Sequence, residues 1–417
     1  MDNPARAAIL RAMKMDSDIV IVGGGLNGPA LALALAQHGL SVTMVDARAR
    51  AERADRDFDG RSYALAMASV RLLRRLGIWA GIEDRTQPML DIKVSDGRAG
   101  AGPLTPFSLH FDHAELEEGP MGHMCEDRVL RPALLDAADA AEGVTVMSGD
   151  SVVAQEVDGT GATLTLASGK ALRTRLIVGS DGRSSGTAQR AGIGRTGWGY
   201  GQTALVCGVA HERPHHGIAH QFFMPAGPLA ILPLPGNVSS IVWSERNATA
   251  TAFAALDDAA FLAVLRPRFG DFLGDIAIKG RRYTYPLGLS LAKSLIAPRL
   301  ALVGDAAHGL HPIAGQGLNA GLRDVAALAQ VLGEARARGE DIAAFDVLER
   351  YQRWRRFDIA ALAATTDLSN RLFSSDNPVL RGLRDLGMGA VQAAAPLRRA
   401  LMREAAGLSG DLPDLMR

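Results

Sequence analysis

The stretch "DIVIVGGGLNGPALALALAQHG", residues 18–39, decides the fold. Ile19 to Val22 is a continuous apolar run, the pattern of a parallel strand buried on both faces. Gly23, Gly25 and Gly28 follow in G-x-G-x-x-G spacing, then an alanine- and leucine-rich helix that Gly39 is suited to stop. "LSVTMVD" (40–46) reads as a second strand, which completes a β-α-β unit. In such a unit Gly23 permits the tight turn, Gly25 lets a diphosphate approach the backbone, and Gly28 packs the helix close to the strand. Leu26 and Asn27 open the helix, whose free amides and positive end favour the same anion. Asp46 ends the second strand and can accept from an adenosine ribose 2′-hydroxyl, while its charge disfavours a 2′-phosphate. FAD or NAD is therefore expected, and NADP is not. A tight turn without a ligand is the competing reading; the preceding strand, the following helix and Asp46 all weigh against it.

A second glycine-rich stretch separates the two dinucleotides. In "VGDAAHGLHPIAGQGLNAGLRD" (303–324) a strand over 299–304 runs into Gly304 and Asp305, and more glycines follow. Such an approach makes sense if the cofactor extends beyond its diphosphate into a ribityl chain and a flat ring, which selects FAD. Asp305 can bond ribityl hydroxyls, and the backbone amides of "GQGLNAG" (315–321) can lie along a ring edge. Asp305, His308 and His311 also invite a metal reading. Three-residue steps diverge round a helix, and Pro312 biases His311 towards extended backbone, so no metal is expected. His308 and His311 are expected to shape the turn.

The chain has 417 residues, enough for two or three domains, with 45 basic and 45 acidic side chains. That balance and the sparse aromatics give no support to a nucleic-acid partner. The two cysteines, Cys125 and Cys207, stand in no metal spacing and read as structural thiols of a reducing compartment. The first residues lack a signal-peptide core, and Met13 or Met15 is a candidate start. No apolar run is long enough to span a bilayer. Helical spacing marks 64–77 and a helix near 128–141, and strand-like runs recur at 144–147, 152–157, 162–167 and 175–179. From about 196 to 285 strands joined by proline and glycine turns dominate, with one helix at 257–269. The fold expected is an α/β FAD-binding Rossmann-like domain with an inserted antiparallel β-sheet substrate domain and a helical C-terminal region. The expected division is 16–88, 118–195 and 285–360 for the flavin domain, 89–117 and 196–284 for the substrate domain, and 361–417 for the C-terminal region.

The segment "HPIAGQGLNAGLRD" (311–324) resembles the signature of the UbiH-type ubiquinone-biosynthesis flavin hydroxylases, within the para-hydroxybenzoate-hydroxylase-like FAD monooxygenases. "DGRSYALAMASVRLLRRLGIW" (59–79), "GSDGRSS" (179–185), "GPLAILPL" (227–234) and "TTDLSNRLFSSDNPVLRGLRDLG" (365–387) carry the same resemblance. It implies that Gly23, Gly25, Gly28 and Asp46 hold the AMP half and that Arg61 and Arg128 approach the phosphates or flavin. It further implies that Asp305 takes the ribityl chain and that Gly315, Gly317, Leu318 and Asn319 line the pyrimidine edge. The implied reaction is hydroxylation of a polyprenylated phenol by dioxygen through a flavin C4a-hydroperoxide, with NAD(P)H or a reductase as electron donor. The implied partners are other ubiquinone-biosynthesis proteins, and the implied location is the cytoplasm, peripheral on the inner face of the membrane. One departure stands out: where the family continues its aspartate-glycine motif to an arginine, this chain has Ala188, with Arg190 nearest.

No acid–base residue is assigned. Tyr200 is a candidate to hydrogen-bond the phenol, against the plainer reading of a tyrosine in the sheet core. "GRSSG" (182–186) also matches the nucleophile-elbow pattern of hydrolases, but Ser180 and Asp181 intervene between strand and motif. Hydroxylation of another aromatic, or a flavin-fold subunit that holds lipid or scaffolds a complex, are the alternatives. Residues 378–404 combine apolar side chains at near-helical spacing, interrupted by Pro396, with five arginines, a pattern suited to an anionic membrane surface or to packing on the flavin domain.

Overall fold

The computed structural model describes residues 15–54, 57, 60–97, 108–116, 118–310, 315–373 and 387–417. The apolar run of the quoted stretch becomes the strand Ser17–Val22, the centre of an eight-stranded sheet. Val42–Asp46 lies parallel on one side and Ala171–Gly179 on the other; Val144–Ser148 and Leu300–Leu302 extend the parallel set outward. A meander of Val152–Val157 and Ala162–Leu166 continues from Ala171–Gly179. The helix Asn27–Gln37 follows the first strand as expected. Its Leu31 and Leu35 are fully buried, worth about 1.5–3 kcal/mol each.

A second eight-stranded sheet holds Arg195–His211, Ile218–Met224, Gly227–Leu234, Val238–Arg246 and Ile276–Ala292, with Asp91–Asp96 and Leu109–Asp112 at one edge. It is antiparallel except where Ile218–Met224 runs parallel to Asp91–Asp96. Helices Asn247–Ala254 and Asp258–Phe269 cover one face, over a core that includes Trp243, Phe222 and Phe261. The strand Ile276–Ala292 runs across the expected boundary at 284/285 and ends beside His308–Gly309, so one ribbon links this sheet to the glycine-rich stretch.

Two local expectations change. Residues 62–66 form a strand, and the helix begins only at Met67. Ser62–Ala66 pairs with Gly122–Glu126, and Gln87–Met89 joins them in a three-stranded sheet. Pro396, read as an interruption, stands instead in the first turn of the helix Ala395–Ala405. The apolar pattern noted upstream of it, over 378–386, lies outside the described residues. Long helices Gln316–Ala337 and Phe345–Phe373 close the molecule, and Ala406, Leu408 and Met416 of the C-terminal segment pack into the main core.

Candidate active site

Register assembles the site. Val22 pairs with Val45 and Gly179, and Gly179 with Leu302, so four parallel strands end side by side. The turns that follow them therefore share one edge: Gly23–Gly28, Asp46, Asp181–Gly182 and Gly304–Asp305. Ligands of open parallel sheets bind at this carboxyl edge.

At the fingerprint, Gly23 has φ +107° and a Cβ there would strike Ser180 O. A Cβ on Gly28 would strike Gly23 O, whereas one on Gly25 would meet nothing within 4 Å among the described residues. The first and third glycines thus close the turn and the second leaves an open approach. Leu26 caps the helix with no side-chain bond, so its first amides stay available.

Asp46 is already engaged by protein. Its Oδ2 accepts from Gly24 N at 2.6 Å and its Oδ1 from Arg48 N at 2.8 Å. Arg53, which sequence reasoning missed, lies 3.4 Å from Asp46 Oδ1 with a fully buried side chain and donates to Gly24 O at 2.9 Å. A carboxylate offers about four lone-pair directions, so a ribose hydroxyl can still be accepted.

Gly304 and the long helix meet through Asn27. A Cβ on either Gly304 or Gly321 would collide with its amide, which wedges the two helix starts against the strand end. Asn27 Oδ1 is buried without a partner among the described residues. A hydroxyl-bearing ligand beside Gly304 would satisfy it, so this pocket fits the ribityl chain of FAD. Asp305 is 44% exposed on its side chain, with Arg183 Nε 3.3 Å away, and Arg195 donates to the carbonyls of Asp305 and Ala306 at 3.3 and 2.5 Å.

Gly315 caps the helix Gln316–Ala337 in the left-handed conformation (φ +64°), and no side chain bonds the first-turn amides. A Cβ on Gly317 would meet nothing within 4 Å among the described residues, and Leu318 is half-buried on the main core. The Asn319 side chain is held within the fold. Its Oδ1 accepts from Ala66 N (2.9 Å) and Ser69 Oγ (2.8 Å), and its Nδ2 donates to Ala64 O (2.8 Å) and Gly315 O (3.2 Å). That side chain fastens the helix start to the 64–69 turn. The uncapped, positive helix end suits negative charge at a flavin ring edge.

Arg61 and Arg128 flank Asp127. Arg61 lies 3.3 Å from Asp127 Oδ2 and 5.9 Å over the Tyr283 ring of the second sheet. Asp127 also accepts from Tyr63 Oη at 2.7 Å and from Arg131 at 2.6 Å. Burial would raise its carboxyl, but Arg131, Tyr63 and Arg61 outweigh that and hold it below the ordinary carboxylate value. Arg128 donates to Glu126 at 2.5 Å and lines a charged cleft of about 630 Å³ with Arg85, Asp136 and Lys279.

His308 does not meet Asp305. Its Nε2 lies 2.6 Å from Asp324, and both side chains are closed to solvent; His311 lies outside the described residues. Ser184 is exposed, and Ser185 caps the short helix Gly186–Arg190 through Ala188 N at 3.0 Å. Asp181 is bonded by Ser185 and Thr187 (2.5 to 3.0 Å) without an arginine, and Arg190 turns to Gln155 at 3.2 Å. Tyr200 packs among Leu289, Leu310 and Ala320, beside the glycine-rich stretch.

A model of the FAD-binding-domain family matches residues 16–366. The ubiquinone hydroxylase UbiL of Rhodospirillum rubrum is 45% identical over 404 residues, covering 96% of this chain and 92% of that protein. The 3-demethoxyubiquinol 3-hydroxylase of Escherichia coli is 37% identical over 394 residues, covering 94% and 99%. The crystal structure of p-nitrophenol 4-monooxygenase PnpA from Pseudomonas putida superposes with a TM-score of 0.79 at 20% identity, over 95% of this chain and 99% of that one. At that identity the likeness speaks for the fold. With its glycine turns gathered at one sheet edge and relatives matched over nearly their whole length, the chain belongs to the FAD-binding-domain family and, within it, to the ubiquinone-hydroxylase group.

Proposed function

We propose that this protein is an FAD-dependent monooxygenase that hydroxylates a polyprenylated phenol in ubiquinone biosynthesis. The observation that carries this reading is the meeting of two helices with uncapped starts, Asn27–Gln37 and Gln316–Ala337, through Asn27 and Gly321 beside Gly304 at the end of a sheet strand. Bound FAD would supply two-electron chemistry and the activation of dioxygen. The residues around it do the rest. Gly23, Gly25, Leu26, Asn27 and Gly28 take the diphosphate, Asp46 the adenosine ribose, and Asp305 with Asn27 the ribityl hydroxyls. Arg61 and Arg128 supply positive charge along the phosphates. Amides of Gly317, Leu318 and Asn319 stabilise negative charge at the ring edge. The second sheet roofs the ring and excludes water. The electron donor is NAD(P)H or a reductase.

The test is direct. Purified protein should be yellow and should consume dioxygen when given reductant and a prenylated phenol, releasing product one oxygen heavier. Colourless protein, or oxygen consumption that yields only peroxide with every phenol tried, would count against the reading.

A peripheral membrane contact fits an apolar substrate. Leu397 and Leu401 stand one turn apart on Ala395–Ala405, 48% and 41% exposed. Of the neighbouring arginines, Arg398 and Arg403 pair with Glu115 and Glu118 at 2.9 Å, and Arg399 is exposed. No described helix is long and apolar enough to cross a bilayer. Truncating the C-terminus would remove core residues, so the informative variant is Leu397→Glu with Leu401→Glu. Unchanged co-sedimentation with anionic liposomes would refute the contact.

A further inference from the structure

The inner face of the second sheet carries an amide nitrogen, that of Gln221, with no hydrogen-bond partner among the described residues. Strand register places Val94, Gln221, Ala230, Val242, Val206 and Tyr283 in one row across six neighbouring strands. At about 4.8 Å between strands the row is roughly 24 Å long, several times the width of an aromatic ring. Every member is only partly buried. Their neighbours on the other face, Phe222, Leu229, Trp243 and Leu205, are at most 2% exposed and belong to the core beneath the helices.

Two contacts join this row to residues proposed to hold the cofactor. At one end Arg61 lies over Tyr283. At the other, Ala219 shares Gln221's face by strand alternation and packs in the cluster that includes Ala64, whose Cβ abuts Gly315 at the start of the long helix. Apart from Tyr283 at its end, the row is apolar except at Gln221. That amide nitrogen is shut off from solvent and has no hydrogen-bond partner among the described residues. Ala230 beside it is small and leaves room for a ring.

We infer that Gln221 is a substrate-binding residue whose Nε2–H donates to an oxygen on the aromatic ring, while the apolar members of the row contact the rest of the ligand. This rests on the hydroxylase reading and deepens it. The hydrogen bond fixes how the ring is turned above the flavin, and so which carbon meets the oxidant. It also selects oxygenated rings over bare ones, because a bare ring leaves the donor unsatisfied.

The test uses holoprotein titrated with 2-geranylphenol and, separately, with geranylbenzene, each followed by perturbation of the flavin spectrum. Gln221→Met keeps the volume and removes the donor; Gln221→Glu keeps the shape and replaces the amide by a carboxylate. In Gln221→Met the phenol's Kd should rise about tenfold, while geranylbenzene binds as tightly as before or tighter. Flavin content and melting temperature should match wild type, and a larger share of reducing equivalents should appear as hydrogen peroxide. Gln221→Glu cannot donate but can accept from the phenol O–H, so it should bind the phenol more tightly than Gln221→Met does, while 2-geranylanisole, which can only accept, should be weakened as much as in Gln221→Met. An unchanged phenol Kd, or equal loss for both ligands, overturns the role of Gln221 and leaves the hydroxylase reading standing. Failure of wild-type holoprotein to perturb its spectrum with any phenol overturns both.

Discussion

Asp324 Oδ2 and His308 Nε2 meet at 2.6 Å, with both side chains closed to solvent. The same carboxylate accepts from Gly304 N at 2.9 Å and from Arg355 Nε at 2.7 Å, and Arg355 reaches Asp358 at 2.7 Å. One buried anion therefore joins two long helices to the turn that presents Asp305. Removing it leaves the buried Arg355 guanidinium with Asp358 as its one carboxylate partner among the described residues. Asp324→Asn should destabilise the fold by about 3–5 kcal/mol, measured by urea unfolding.

The same carboxylate sets an acid limit. Burial pushes its pKa up, but His308 and Arg355 outweigh burial and hold it below the ordinary value. An unfolded aspartate titrates near about 3.9. The stabilisation is complete above that pH and is lost as pH falls through the lower folded value. The wild-type urea midpoint should decline on acidification below about pH 4. Asp324→Asn should decline less steeply; equal slopes would show that other carboxylates set the limit.

Gly315 and Gly317 sit two residues apart and should fail differently. At Gly315 a side chain meets both a left-handed backbone and Ala64 Cβ at 2.9 Å, so Gly315→Ala should lower stability by about 1 kcal/mol or more. At Gly317 an added Cβ meets nothing within 4 Å among the described residues, so Gly317→Leu should fold normally and obstruct the ring edge. Its far-UV spectrum and melting temperature without cofactor should match wild type, with at least tenfold less flavin per chain. Fully yellow Gly317→Leu protein would move the ring elsewhere.

The glycine turns were legible because spacing dictates backbone geometry: Gly23 and Gly28 must be bare where a strand end, a turn and a helix touch. Side-chain partnerships were not. Arg53 reaches Asp46 only through the course of the loop between them, and no periodicity marks it. Asp324 and Arg355 lie on different helices, so their contact depends on how those helices pack. The stretch from Ala64 satisfies both helical spacing and strand alternation. What settles it is pairing with Gly122–Glu126, a partner far along the chain. Asn319 was placed at the right helix start, but its side chain was needed for the Ala64–Ser69 turn.

Burial also predicts thiol chemistry. Cys125 and Cys207 are fully buried, and desolvation pushes both thiols up to about 12. Thiolate is the reactive form, so neither should react with a disulfide reagent at pH 8 in the native state. Both should react in guanidinium chloride. Rapid labelling of native protein would show that one of these strands opens locally.

Arg53 offers the sharpest separation of binding from folding. Its Nη1 donates to Gly24 O, its Nη2 to Ser148 Oγ at 2.5 Å, and its Nε faces Asp46. Burial lowers its pKa and the Asp46 charge offsets part of that, yet a guanidinium stays charged at neutral pH. It thus braces the fingerprint turn and the carboxylate that receives the ribose in one contact set. Arg53→Met preserves most of the packing and frees both, so the Kd for FAD should rise about tenfold. Arg53→Lys should recover only part, because a single ammonium cannot bridge three acceptors set for a planar fork. Isothermal titration of apoprotein with FAD gives the affinities, and melting of the same apoprotein reports the cost to the fold. If both variants bind FAD like wild type and lose only stability, Arg53 is a structural brace, and Asp46 reaches the ribose without it.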